Sequence, residues 1–222
     1  MLKRICILCL FLITYPSFAK KSAPWVGSDF KGHRCEGKTQ GYGPFDYTIS
    51  SHRPKLSTIT SNHFTPEVEN LIRGKTGGLI GDLDYSLRAF PNHHKALLTI
   101  IKYQRAHNIK LKEAVKLPLK PAVECYFQRA INFSPKDSAT YSLYGYYLRK
   151  SKKLNEATLY YEKALELSPE NIKILYTYSL LLIDLKQYDK ALEYAKKAYK
   201  LGSAPKELRN ILKKLGVWEA NQ

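Results

Sequence analysis

Apolar and small residues recur at a fixed spacing of 34 in the C-terminal half of this 222-residue chain. Ala130, Ala164 and Ala198 follow this spacing, and so do Pro135 and Pro169. The same shift superimposes further apolar pairs: Phe127 on Tyr161, Tyr144 on Tyr178, Leu148 on Leu182 and Ala157 on Ala191. A period of this length accommodates two helices and a turn. The pattern therefore predicts stacked helical hairpins, one over residues 138–171 and the next over 172–205.

Residue size within each period predicts how these helices pack. Gly145 and Ala157 are small where the two helices of one hairpin would approach, and Ala164 is small where the next hairpin would pack. Pro169 cannot continue a helix and therefore ends the second helix of the first hairpin. Residues 206–215 then predict a last helix with a basic outer face, as expected for a cap on a stack of repeats.

The pattern weakens upstream but remains helical. Residues 92–107 predict a first helix whose apolar stripe contains Leu97, Ile100 and Ile101, and its partner helix begins near Ala122. Residues 108–121 between them form a lysine-rich insertion. Residues 79–90 predict the second helix of an earlier, degenerate unit. Thr65 and Pro66 predict the start of a short helix that ends at Gly74.

Residues 20–62 show no sustained helical or strand period and contain many glycines and prolines. We expect an irregular, mostly extended segment, in which Phe45, Tyr47 and Ile49 alternate like a short strand or an extended packing segment. The expected organisation has five parts: signal peptide 1–19, irregular segment 20–62, degenerate helical units with a basic insertion 63–121, repeats and capping helix 122–215, and tail 216–222.

The first residues resemble an export signal. Lys3 and Arg4 precede an apolar run over residues 5–13, and small residues lead to Ala19. This is typical of a signal peptide cleaved after Ala19, which predicts a periplasmic or secreted protein with no membrane anchor after cleavage. The alternative is an uncleaved anchor, although the run is shorter than the roughly 20 apolar residues that span a bilayer.

Cleavage would leave two of the four cysteines, Cys35 and Cys125. A pair of cysteines in an oxidising compartment predicts a disulfide, which would join the irregular segment to the helical part. Two buried thiols are the alternative.

The paired helices over residues 123–215 resemble the tetratricopeptide-repeat family. Residues 35–37, 43–47, 63–66 and 82–94 look like a group of secreted bacterial tetratricopeptide proteins without a firmly assigned function. The resemblance implies an all-α helical solenoid, with two clear repeats and degenerate upstream helices, preceded by the irregular N-terminal segment. It also implies a protein that is not an enzyme.

The family's concave face is lined by the first helix of each repeat, and this resemblance places a set of partner-binding residues there. They are Tyr146, Arg149, Lys150, Lys173, Tyr176, Leu180 and Ile183. We expect a protein or peptide in this groove, although the chain's own N-terminal segment could fill it instead. Ser142 and Tyr146 stand where repeats that clamp chaperone carboxylates have Lys or Asn, which argues against that partner class.

The formal charge of +17 is spread along the chain, which indicates either a solvated surface with excess lysine on the outer helix faces or attraction to an acidic partner. The first hypothesis is a scaffold for protein–protein interactions, and the second an accessory factor of envelope polymer assembly that binds an anionic glycan or lipid. An exported chain without a nucleic-acid motif is not expected to bind nucleic acid. The third hypothesis, a metal-dependent enzyme, would use His63, His93 and His94.

The spacing of these histidines matches no strong metal motif, so we expect no metal, cofactor or catalytic residue. We expect His93 and His94 instead to cap a helix start and to pack on the N-terminal segment. Lys75 and Thr76 follow Gly74, but a helix rather than a strand precedes them, so a turn is predicted and a phosphate loop is excluded.

Overall fold

A computed structural model describes residues 22–39, 41–110, 121–202 and 204–218, without side chains at 107–110. The described chain is helical, and its β-structure is one bridge between Ser28 and Arg34. A short 3-10 helix covers Ser50–His52. Ten α-helices follow: α1 (Arg53–Asn62), α2 (Pro66–Glu69), α3 (Gly78–Ala89), α4 (His94–Lys110), α5 (Val123–Phe133), α6 (Ser138–Lys150), α7 (Leu154–Leu167), α8 (Ile172–Asp184), α9 (Tyr188–Leu201) and α10 (Lys206–Lys214).

The two predicted hairpins are α6 with α7 and α8 with α9. The first helix of each hairpin begins with the same kind of N-cap. The side chains of Asp137 and Asn171 each accept hydrogen bonds from the backbone N–H groups two and three residues further along the chain. These N-caps satisfy donors that have no partner inside the helix. The capping residues are 34 apart, so the sequence period is also a period of helix starts.

The turn inside each hairpin repeats as well. Lys152 and Lys186 have left-handed backbone angles, with φ of 64° and 61°. In each turn the following residue donates its N–H to a carbonyl of the first helix: Lys153 to Leu148, and Gln187 to Leu182. A left-handed residue at this place reverses the chain within a few residues, which brings the second helix back antiparallel to the first.

Small residues allow the helices to pack closely, as the sequence predicts. Gly145 lies against the ring of Tyr161, and a Cβ atom there would be 2.8 Å from that ring. Ala157, Ala164, Ala191 and Ala198 are fully buried. The buried apolar residues form one continuous cluster from Ile59 to Trp218.

The helices upstream of the repeats differ in part from the prediction. Residues 53–62 are a helix, α1, not an extended segment. Ile59 is its one buried residue, so too few apolar positions face the core to produce a visible period. The short helix α2 ends at Glu69 instead of near Gly74, because Leu71 has a left-handed φ of 60°. The helix expected at 92–107 is α4, which begins at His94 and continues to Lys110.

The irregular segment lies on α5. Gln128 holds Ser28 by two hydrogen bonds, from the Ser28 N–H to Oε1 and from Nε2 to the Ser28 carbonyl. Cys35 and Cys125 form a disulfide with Cα atoms 5.4 Å apart. Phe45 donates its N–H to the Ala89 carbonyl at the end of α3. The stretch from Phe45 to Ile49 is an extended packing segment with a turn, and no strand is assigned there.

Within the described ranges, no helix is both long and apolar enough to cross a membrane. The predicted signal peptide at 1–19, most of the basic insertion at 108–121 and the tail from 219 lie outside the described residues.

Candidate functional site

The first helices of successive units lie beside one another. Helix α6 contacts both α4 and α8, and α8 contacts α10. We call α4, α6 and α8 the first-helix row. The seven residues predicted from the family positions lie on two helices of this row, where each is exposed or half-buried: Tyr146, Arg149, Lys150, Lys173, Tyr176, Leu180 and Ile183.

An ion pair links the two helices that carry these residues. Arg149 Nε donates to Asp184 Oδ2 over 2.7 Å, and the arginine side chain is only 13% exposed. Because the guanidinium is largely sheltered from water, this pair fixes α6 against the end of α8 more firmly than an exposed pair would. Arg149 therefore holds α6 and α8 together, and only a small part of its side chain is available to a partner.

The charge at this end of the row is positive. Burial lowers the pKa of Lys150, and the nearby cations Arg149 and Arg105 lower it further. The negative charge of Asp184 raises the pKa of Lys150, but its effect is smaller than that of either arginine. The Lys150 ammonium also lies 5.6 Å from the centre of the Tyr146 ring. Cations of α4 and α6 thus converge, which favours an anionic group on any ligand bound there.

Tyrosines supply the apolar part of the same face. Tyr146 and Tyr176 are half-buried and pack against the hydrophobic cluster. Burial raises the pKa of Tyr176, and the negative charge of Glu207 on α10 raises it further. Both tyrosines therefore present part of a ring to solvent while their positions are fixed by packing, as is common for residues that anchor a partner.

The N-terminal segment contacts helices α5 and α6. Arg129 of α5 donates to the Ala23 carbonyl over 2.8 Å, and Trp25 packs edge-on against Tyr126. Phe30 stacks on Tyr147 at 5.6 Å and donates its N–H to Glu124. Between described residues, none of the hydrogen bonds or ring contacts of 22–39 reaches the seven predicted residues.

His63 belongs to a hydrogen-bonded loop closed by Asp82. Its Nδ1 lies 2.9 Å from Asp82 Oδ1, and its ring stacks on Tyr85. Asp82 also accepts bonds from the backbone N–H groups of Lys75 and Thr76. The amides that a phosphate loop would offer to a nucleotide are therefore used by a carboxylate, in agreement with the predicted turn. Burial raises the pKa of Asp82, but hydrogen bonds from Thr76 and His63 outweigh it and hold the value at about 2.

His93 caps the start of α4, and both His93 and His94 pack against Tyr47 of the N-terminal segment, as the sequence predicts. His94 is the first residue of α4, and its ring bonds to Asp137 instead of to the helix start. His93 Nδ1 accepts the Ala96 N–H in the first turn of α4, and its ring lies 4.6 Å from that of Tyr47. Burial and the neighbouring His94 lower the pKa of His93 to about 4. His94 Nε2 lies 2.8 Å from Asp137 Oδ2, at the start of α6.

Asp137 and Asn92 form a buried network that the sequence analysis missed. Asn92 Nδ2 donates to Asp46 Oδ1 and to Asp137 Oδ2, and Thr140 Oγ1 donates to Asp137 Oδ2. The two bonds from Asn92 join residues more than 40 apart in sequence, and no local pattern records such a distance. Among the described residues, no three His, Cys, Asp or Glu side chains converge as metal ligands would.

Comparison with known proteins identifies the repeats. Residues 148–200 match the tetratricopeptide-repeat family. No curated protein sequence matches the chain. Among solved structures, a crystal structure of MamA shares 20% identity over 55% of this chain and 66% of its own, with a TM-score of 0.42. A MamA RS-1 ArsTM double mutant gives 20% identity, 55% and 64% coverage and a TM-score of 0.41. The matched region thus spans less than two thirds of either MamA chain.

Proposed function

We propose that this chain, which carries tetratricopeptide repeats, is an exported scaffold that binds an extended acidic peptide segment along the first-helix row. The repeat match and the stacked helical hairpins support a protein-interaction role. The disulfide between Cys35 and Cys125 supports an oxidising compartment, as does the apolar run at the N-terminus.

One observation carries the choice of an acidic peptide. The exposed or half-buried side chains of α6 and α8 combine two packed tyrosines with cations that outnumber their acidic partner. Tyr146 and Tyr176 would anchor apolar side chains of the peptide, while Arg105 and Lys150 would attract its carboxylates. Stacked helical repeats build extended surfaces that suit a segment of chain without regular structure.

The test is capture from an envelope extract, followed by mapping of the retained segment to a synthetic peptide whose Kd is then measured. We expect Tyr146→Ala combined with Tyr176→Ala to weaken this peptide by at least tenfold. The matched control is Tyr160→Ala combined with Tyr194→Ala. It removes two half-buried tyrosines from the second helices α7 and α9, and it should leave the Kd within about twofold.

The contribution of the cations on this face to binding is tested with the same peptide. Lys150→Gln should reduce the dependence of the Kd on salt, because one cation less attracts the acidic partner. Equal weakening by the control pair of tyrosines would contradict the proposed face. Capture of an anionic polymer alone, fully released by salt, would replace the scaffold with the envelope-polymer hypothesis.

A further inference from the structure

A second cationic site lies outside the first-helix row, where α9 and α10 meet the end of the described chain. A surface cleft of about 460 Å³ is lined there by Lys196, Tyr199, Lys200, Arg209 and Trp218. Three of these five side chains are cationic, and none is acidic. The cleft is built from the last repeat and its capping helix, so the proposed peptide-binding face does not include it.

The arginine in this cleft is held in place by two aromatic rings. The Arg209 guanidinium carbon lies 4.4 Å from the Tyr199 ring centre and 4.9 Å from that of Trp218. The rings themselves meet edge to face at 5.4 Å. The Arg209 backbone N–H also donates to the Tyr199 hydroxyl. Such stacking fixes the plane of the guanidinium in advance and reduces the entropy lost when it binds a ligand.

Two cations of the cleft are not neutralised by the described residues around them. Among the ion pairs between described residues, none includes Lys200 or Arg209. Arg209 Nε is shielded from solvent and makes no hydrogen bond there. A buried donor without an acceptor costs free energy, and an incoming oxygen acceptor would relieve that cost.

We propose that this cleft binds a phosphomonoester group. A planar guanidinium matches the oxygens of phosphate, and lysine ammonium groups add further charge around them. Two such cations, Lys200 and Arg209, suit a group that carries close to two negative charges better than they suit a single carboxylate. The same chemistry occurs in a soluble sugar phosphate and in the headgroup of a phosphatidic acid, and the experiment distinguishes these two sources.

The experiment titrates the purified full chain with glucose 6-phosphate by calorimetry and, separately, with vesicles of phosphatidylcholine containing phosphatidic acid. Lys200→Gln removes an exposed cation, so the fold should be unaffected. We expect it to weaken binding about tenfold. The matched control is Lys213→Gln combined with Lys214→Gln, which removes two exposed charges from α10 outside the cleft and should change binding less than twofold.

Arg209→Gln provides a second variant, examined beside its thermal melt because Arg209 also packs on aromatic rings. Binding of glucose 6-phosphate with the expected variant pattern would support a soluble ligand. Binding to phosphatidic acid vesicles alone, with the same pattern, would support a headgroup. No binding to either, or equal losses in Lys200→Gln and the α10 control, would overturn the proposal.

Discussion

His93 is buried in its neutral form, and this has a measurable cost in acid. Its ring is 1% exposed, packed among Tyr47, Phe64 and Phe90, and Nε2 has no hydrogen-bond partner. Burial, reinforced by the positive charge of His94 and Lys95, holds the pKa at about 4. The unfolded chain, with a pKa near 6.5, therefore takes up this proton at a higher pH than the folded chain does.

This difference predicts a loss of stability between pH 6.5 and 4.5. The unfolded state binds more protons over that range, so the free energy of unfolding decreases by about 2–3 kcal/mol as the pH is lowered. His93→Asn keeps a side-chain acceptor for the Ala96 N–H but cannot titrate, so its stability should be lower at pH 7 yet nearly constant over the same range. Urea unfolding at several pH values measures this.

The control for this prediction is His33→Asn, because the side chain of His33 is 72% exposed. Its pH dependence should match that of the unchanged protein. A His93→Asn protein that lost stability as steeply as the unchanged protein would show that another group is responsible. The buried carboxylates Asp46 and Asp82, each with a pKa of about 2, are not candidates, because even the unfolded chain protonates them only near pH 3.8, below this range.

At the level of single residues, the sequence predicted the local roles and missed the distant ones. Capping by His93 follows from its place before an apolar helix. The hydrogen bonds from Asn92 to Asp46 and Asp137 join three separate segments. The stacking of Arg209 on Trp218 likewise depends on a return of the chain after α10. Neither leaves a periodic trace in the sequence.

The close packing of α6 against α7 depends on Gly145, where there is no room for a side chain. A Cβ atom on Gly145 would lie 2.8–2.9 Å from ring carbons of Tyr161, which is completely buried and cannot move aside. We therefore expect Gly145→Ala to destabilise the protein by about 1–3 kcal/mol, although alanine favours a helix. A thermal melt should show a loss of several degrees.

Gly81 in α3 is the matched control for that change. It also lies inside a helix, but an added Cβ would meet no atom within 4 Å. Gly81→Ala should therefore be neutral or stabilising by up to about 1 kcal/mol. If both alanines stabilised the protein alike, the packing at Gly145 would not be what limits the approach of α6 and α7.

The elements with a strong period were predictable, and those without one were not. Helices α6 to α9 combine buried alanines, large apolar residues and N-caps at one spacing, so several independent signals agree. Helix α1 has the sequence RPKLSTITSN, in which polar and β-branched residues dominate and Ile59 alone is buried. Tertiary contact with the rest of the core, absent from any local pattern, decides its structure.

On the scale of the whole molecule, the disulfide joins two regions with different kinds of contact. The repeats are stabilised mainly by neighbouring helices, whereas residues 22–39 are held by hydrogen bonds to α5, by ring contacts with α5 and α6 and by Cys35. The bridge closes a separation of 90 residues, which in the chain-entropy treatment is worth at most about 4–5 kcal/mol.

Cys35→Ala combined with Cys125→Ala should therefore lower the melting temperature by several degrees. The unchanged protein in a strong reductant should melt at nearly the same temperature as the variant, which separates loss of the bond from loss of the sulfur atoms. If the unchanged protein melted at the same temperature with and without the reductant, the disulfide would not contribute to its stability.

The bridge also determines how the molecule would respond to mechanical force. A pull between the N-terminal segment and the last repeat would pass directly from Cys35 to Cys125 and bypass helices α1 to α4. Residues between the two cysteines would carry no load, even after every helix outside the loop had opened. The fully extended chain would be about 300 Å shorter than its reduced counterpart, at roughly 3.4 Å for each bypassed residue.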